Sequence, residues 1–201
     1  MKRVGFLALL ALALPITAWA DAIDITNQFG SISLSSTGIV SKGSQMKAFN
    51  GITAPSGHAL GSVSFSTGAL TSGSIWSTAT FSSTGSTFIV KGIGNYGQPK
   101  GTIFTGTFIG PITWTVESHT KNAWTIELTG TIHGTLWNGQ VVTGTTTQEL
   151  YSSTAQLTQG IGHIKGGTTQ LPSVPEPGTL GLLGTGLVGI AGIFRRKLIA
   201  S

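Results

Sequence analysis

The chain has 201 residues, a formal charge of +5, 30 glycines and no cysteine. That length holds one domain with a sizeable core, and the lack of cysteine excludes a disulfide-stapled scaffold and thiol chemistry. The positive charge lies at the two ends, in Lys2, Arg3, Arg195, Arg196 and Lys197, whereas the body sets six lysines (42, 47, 91, 100, 121 and 165) against five carboxylates, which excludes a basic nucleic-acid surface.

The first element is a targeting segment. Met1-Lys2-Arg3 is a positive n-region, and Val4 to Leu14 is an apolar core too short to span a bilayer comfortably. Pro15 ends it, and Ala18-Trp19-Ala20 places small residues at the -3 and -1 positions before Asp21. This predicts a secretory signal peptide over residues 1–20, cleaved between Ala20 and Asp21. Its partners are the Sec machinery and signal peptidase.

The body, residues 21–172, is rich in Ser, Thr and Gly and reads as all-β. Its first part, to Gly57, is the least regular, with one alternating stretch, Ser31 to Ser35. Ser62 to Ser66, Ile75 to Phe81 and Thr87 to Lys91 read as strands, and Gly92 to Gly101 as a loop. The strongest alternation follows. Ile112, Trp114 and Val116 share one face; so do Trp124, Ile126, Leu128 and Ile132, opposite Thr125, Glu127, Thr129, Thr131 and His133. Asn138-Gly139 then predicts a tight two-residue turn pairing Leu136 with Val141. Continued without interruption, that pairing sets Leu128 against Glu149. One extra residue near Gly144 sets Leu128 against Leu150, so a bulge is expected there.

A short phrase recurs: Phe104-Thr105-Gly106-Thr107-Phe108, Leu128-Thr129-Gly130-Thr131-Ile132 and Val142-Thr143-Gly144-Thr145. Its spacing is irregular, which excludes a solenoid. It reads as strand chemistry, with threonines outward and a glycine where a ring or backbone comes close. Many short strands, glycine-rich turns and no evident body helix predict an antiparallel β-sandwich or jelly roll.

Candidate chemistry is sparse. Glu117, Glu127 and Glu149 are the body's glutamates, and both aspartates lie at its N-terminus. A glycosidase needs two carboxylates across a cleft, and Glu117 and Glu127 fall on polar strand faces. There is no Gly-x-Ser-x-Gly elbow and no aspartate placed for a triad. His58, His119, His133 and His163 lack the close spacing of zinc ligands, and no Asp-rich loop suggests calcium. The expectation is a non-enzymatic body with no catalytic residue, cofactor or metal. Trp76, Trp114, Trp124 and Trp137 are candidates for stacking on sugar rings, but Trp114 and Trp124 fall on core faces, which leaves Trp137 as the one expected in solvent.

The last element has three parts. Val174-Pro175-Glu176-Pro177 breaks helical structure; Gly178 to Phe194 is uncharged and mostly apolar; Arg195-Arg196-Lys197 is a basic stop. As a helix, residues 178–194 would extend about 25 Å, just enough for a thin hydrocarbon core. This predicts a C-terminal transmembrane helix, with the body outside and the C-terminus in the cytoplasm. Motif, span and stop together, in a chain with a signal peptide, resemble the PEP-CTERM sorting signal of Gram-negative bacteria over residues 173–201. The resemblance implies recognition of Val174, Pro175, Glu176 and Pro177 by exosortase, a multispanning membrane cysteine protease/transpeptidase. It implies a transient precursor in the inner membrane, followed by release or attachment at the cell surface. On this reading the protein is an exported surface or extracellular-matrix protein of biofilm, associated with exopolysaccharide. The alternative is a lectin-like carbohydrate-binding module at the cell surface.

Overall fold

Small hydroxyl residues alternating with large apolar ones keep a chain extended, with one face dry and one wet. The computed structural model describes residues 22–172, and extended chain dominates them. In chain order the strands are β1 (Ala22–Gln28), β2 (Ser31–Ser35), β3 (Gly38–Lys42), β4 (Ser44–Phe49), β5 (Ile52–Thr53), β6 (Gly61–Ser66), β7 (Leu70–Gly73), β8 (Thr78–Phe81), β9 (Thr87–Ile93), β10 (Lys100–His119), β11 (Ala123–Leu136) and β12 (Val141–Ser153). A short helix, α1 (Thr154–Thr158), then leads to β13 (Ile161–Pro172).

Eight strands close a ring. The order is β1, β4, β6, β9, β10, β11, β12, β13, each antiparallel to the next, and β13 pairs back onto β1. The all-β antiparallel expectation holds, but the sandwich or jelly roll does not: one sheet closes on itself as a barrel. The reason lies in the second half of the chain. Strands β10 to β13 are 20, 14, 13 and 12 residues long. Such strands coil with the native twist, and register shifts at Thr102/Phe104, Ile109/Thr113 and Val116/Ser118 sharpen the bend of β10. The last strand therefore reaches the first, and Ala22 pairs with Pro172. Beyond a kink at Phe29 (φ 63) and Gly30 (φ 91), β2 and β3 carry the first hairpin toward the other end of the barrel. The β7–β8 hairpin lies along the second half of β10.

The interior is apolar and aromatic. Phe65, Phe88, Phe104 and Phe108 form a nest of stacked and edge-on rings, with Phe81 tilted against Trp114 beyond them. The recurring Thr-Gly-Thr phrase supplies room for this. A Cβ on Gly130 would sit 2.6 Å from the Phe108 ring; one on Gly106 would lie 2.3 Å from the His133 carbonyl; one on Gly144 would lie 2.2 Å from the Gln170 carbonyl. The flanking threonines point outward. Register places Thr80, Thr113, Thr129, Thr147, Thr168 and Thr26 in one row across six strands. Each such cross-strand neighbour contributes about 0.2–1 kcal/mol relative to alanine.

The return from β11 to β12 departs from expectation. Gly139 N–H donates to the Leu136 carbonyl and Leu136 N–H to the Gln140 carbonyl, both at 2.9 Å, with Gly139 at φ 85. The loop thus has three residues, Trp137 to Gly139, not two, and ends in a left-handed glycine. The extra residue sits in the loop, so Thr135 pairs with Val141 and the two strands run together without a break. No bulge forms at Gly144 in this pairing, and Leu128 faces Gln148. The expectation assumed an apolar residue opposite Leu128, whereas Gln148 is buried with its amide satisfied. Asn27 Nδ2 donates to Gln148 Oε1 (2.8 Å) and to Ser44 Oγ (2.8 Å). Gln148 Nε2 donates back to Asn27 Oδ1 (3.3 Å) and to Thr146 Oγ1 (3.0 Å), which meets Thr169 Oγ1 at 2.9 Å.

Two further boundaries move. Ile75 to Ser77 form a turn, with strand resuming at Thr78, and β9 runs on to Ile93 before the loop. The helix α1 was not expected. Its signal was a capping box: Gln156 N–H donates to Ser153 Oγ, and Ser153 N–H to Gln156 Oε1.

Gly130→Ala is expected to destabilise the barrel by about 1–3 kcal/mol in urea unfolding, because the Phe108 ring cannot yield without moving its neighbours. Gly166→Ala, whose new Cβ meets nothing closer than 4.0 Å, is expected to change stability by less than about 1 kcal/mol. Asn27→Ala is expected to cost about 1–3 kcal/mol, since it leaves the buried Gln148 Oε1 without its donor. Adding Gln148→Leu is expected to cost less than the sum of the two single changes, as a double-mutant cycle would read.

Candidate functional site

One end of the barrel gathers Trp76, Trp114, Trp124 and His119. The β7–β8 turn meets α1 and the β10–β11 turn there, and the start of β1 at Ala22 and the end of β13 at Pro172 lie at the other end. Trp114 is fully buried, and its indole Nε1–H donates to the Ile75 carbonyl at 2.9 Å. That bond fixes the turn, which Ser77 closes by donating its N–H to the Ser74 carbonyl and passing its own carbonyl to Val116 N–H. The next residue, Trp76, stands 39% exposed. Its ring meets Trp124 edge-on, with centroids 5.1 Å apart. Trp124 is half-buried; its Nε1–H donates to Thr154 Oγ1 (3.0 Å), and His119 stacks on its face at 4.8 Å. Three indoles therefore lock the β7–β8 turn, α1 and the end of β10 together.

Beside Trp76 runs an open groove of about 500 Å³ between the β2–β3 turn, β7 and α1. Leu34, Leu70, Ile75, Phe81 and Leu157 form its apolar surface, and Ser36, Ser74, Thr158 and Gln159 its polar edge. No lining side chain is ionisable. Leu157 packs into the core from α1, and the Leu34 N–H donates to the Gly160 carbonyl at 2.6 Å, so the groove walls are tied to the barrel.

The carboxylates lie elsewhere, on the outer wall. Glu127 and Glu149 are direct cross-strand partners, and Glu117 lines the same shallow depression. Lys165 Nζ pairs with Glu149 Oε1 at 2.6 Å; both side chains are largely in solvent, so the pair stabilises little. The structure thus brings together three glutamates that are spread over the sequence, on an exposed face. The histidines are dispersed. His119 stacks on Trp124, His133 Nδ1 meets Thr143 Oγ1 (2.9 Å), His163 Nε2 meets Gln156 Nε2 (3.1 Å) and His58 sits edge-on to Tyr96. Among the described residues, no three His, Asp or Glu side chains converge as metal ligands.

The aromatic expectations divide. Trp114 is in the core, as its strand face required. Trp124 faces inward but sits at the mouth, half-buried. Trp137 is exposed, at 47%, as its place beside the hairpin turn predicts, and Trp76 is exposed as well. The sequence signal for Trp76 was Ser74 and Ser77 around it: small hydroxyl residues that favour a turn over a strand.

The targeting residues Ala18, Ala20, Asp21, Val174, Pro175, Glu176, Pro177, Arg195, Arg196 and Lys197, and the expected helix over 178–194, lie outside the described residues. Among the described residues no helix is long and apolar enough to cross a membrane. Comparison with known families settles the tail. Residues 173–197 match the PEP-CTERM protein-sorting motif. The chain carries an exosortase sorting signal. The PEP-CTERM motif implies an exported, membrane-anchored precursor with exosortase as its processing partner. No curated protein and no solved structure matches the chain.

Trp114→Phe keeps a buried ring but removes the donor to Ile75. It is expected to cost about 1–3 kcal/mol, from the orphaned carbonyl and the lost volume. Hydrogen exchange should show the Ser77 amide losing protection more than the amides of β11.

Proposed function

We propose that the mature protein is a non-enzymatic component of the cell surface or extracellular matrix, associated with exopolysaccharide after exosortase processing at Pro175 to Pro177. The observation that carries this reading is the PEP-CTERM motif at residues 173–197. The character of the barrel supports it. Its outer wall is nearly neutral and carries rows of threonine, a surface that hydrates without attracting ions or basic partners. Its glutamates line an open depression of about 560 Å³ on the outer wall, with Glu149 paired to Lys165. A second reading, a carbohydrate-binding module at the cell surface, is favoured by Trp76, an exposed indole held in a fixed orientation beside an uncharged groove.

The sorting step is tested by the intact mass of the protein from its host, cell-bound and secreted, with and without exosortase. The expected result is a wild-type chain beginning at Asp21 and ending near Pro175 to Pro177, and a deletion strain that retains the tail. Retention of residues through Ser201 in both strains would sink the processing model and leave a single-span membrane protein. The matrix assignment is read separately, by whether the mature chain sediments with the host's exopolysaccharide.

A further inference from the structure

We propose that the groove beside Trp76 binds a neutral glycan segment, with the Trp76 indole as its stacking platform. This rests on the matrix reading for the source of the glycan and on the groove itself for the chemistry. A pyranose ring offers two kinds of surface: C–H faces that pack on an aromatic ring and an edge of hydroxyl groups that needs donors and acceptors. The groove offers the complement of both. Trp76 and Leu70 are both exposed along it, at 39% and 43%, the half-buried Leu34 continues the apolar surface, and the buried Leu157 forms its floor. The side chains of Ser36 and Gln159 line the polar edge and make no hydrogen bond to another described residue, so their groups are open to a ligand.

Charge narrows the ligand class. No lysine, arginine, histidine, aspartate or glutamate lines the groove. A uronate, phosphate or amine placed there would lose hydration against leucine and tryptophan without meeting a counter-charge. A neutral sugar has no such penalty. The volume of about 500 Å³ falls in the range of small-ligand clefts, and the groove is open to solvent, which suits the interior of a polymer better than a whole small molecule. Orientation is set in advance. The Trp114–Ile75 bond, the Trp124 ring and the bond from Trp124 to Thr154 hold the platform before any ligand arrives, which lowers the ordering cost of binding. Trp137 is the built-in control. It is as exposed as Trp76, but it lies at the opposite end of the barrel, against Phe49.

The mature protein, purified from its host culture, would be titrated with cellohexaose, laminarihexaose, xylohexaose and mannohexaose, with polygalacturonate as the charged comparison, following indole fluorescence and heat. At least one neutral oligosaccharide is expected to bind saturably and to change the indole emission. Trp76→Ala is expected to weaken that binding by roughly tenfold or more, and Trp137→Ala to leave it unchanged. Gln159→Ala, which leaves every ring of the cluster in place, should weaken it by a few-fold. Four results would overturn the proposal: no binding across the neutral set, tighter binding of polygalacturonate than of any neutral sugar, equal losses in Trp76→Ala and Trp137→Ala, or a dimer abolished by Leu70→Asp, which would give the groove to a second copy. Sedimentation with the host's exopolysaccharide separates this inference from the matrix reading. If wild type and Trp76→Ala both sediment, the matrix reading stands without the groove, and the oligosaccharide titration decides the groove. If wild type does not sediment, the matrix reading fails, and the oligosaccharide titration still decides the groove.

Discussion

The pairing of β1 with β13 is the constraint on which the rest of the barrel depends. Neighbours in the ring are otherwise joined through hairpins or close connections along the chain, but this seam joins the first strand of the body to the last. Left open, the sheet would present two long edges of unpaired N–H and C=O groups to solvent. Closure removes both edges and turns the inward faces of eight strands into one enclosed core. It also carries the Asn27–Gln148 amide pair, which links positions 121 residues apart. With no cysteine available, this seam and its buried hydrogen bonds do what a disulfide between the ends of the chain would do in many exported domains.

Inside and outside are then built by one sequence device. Threonine is β-branched, favours extended chain, and carries one methyl and one hydroxyl, so a row of threonines both pairs across strands and hydrates. Glycine between two outward threonines takes away the inward side chain where Phe108 or a neighbouring backbone needs the room. The same three-residue phrase thus provides a solvated exterior and a close-packed interior without any ionised group. This is how a body with few charges can be both hydrated on its outer face and dense in its core.

The two ends of the barrel differ. At one, β1 begins at Ala22 and β13 ends at Pro172, paired with each other. At the other, three tryptophans lock a turn, a helix and a strand end around an uncharged groove. The indole bond from Trp114 to Ile75 connects the core to that groove, because a fully buried side chain sets the backbone that presents an exposed one.

By itself the sequence determined the tail and the faces of the strands. Linear signals suffice for these, since a sorting motif is read in order and alternation with a period of two is local. Ile112, Trp114, Ile126 and Leu128 fall where that period puts them, and the glycines of the Thr-Gly-Thr phrase meet the rings and backbones expected of them. Register and closure were beyond local reading. The hairpin loop took three residues where two were expected, which set Leu128 against Gln148, and only a partner far away in the chain, Asn27, makes a buried glutamine acceptable there. The threonine row, the cluster of Glu117, Glu127 and Glu149, and the groove at Trp76 all depend on which residues stand side by side across strands. The tertiary structure alone decided them, because a strand's own pattern says which face a side chain takes, while twist and closure decide what it meets on that face.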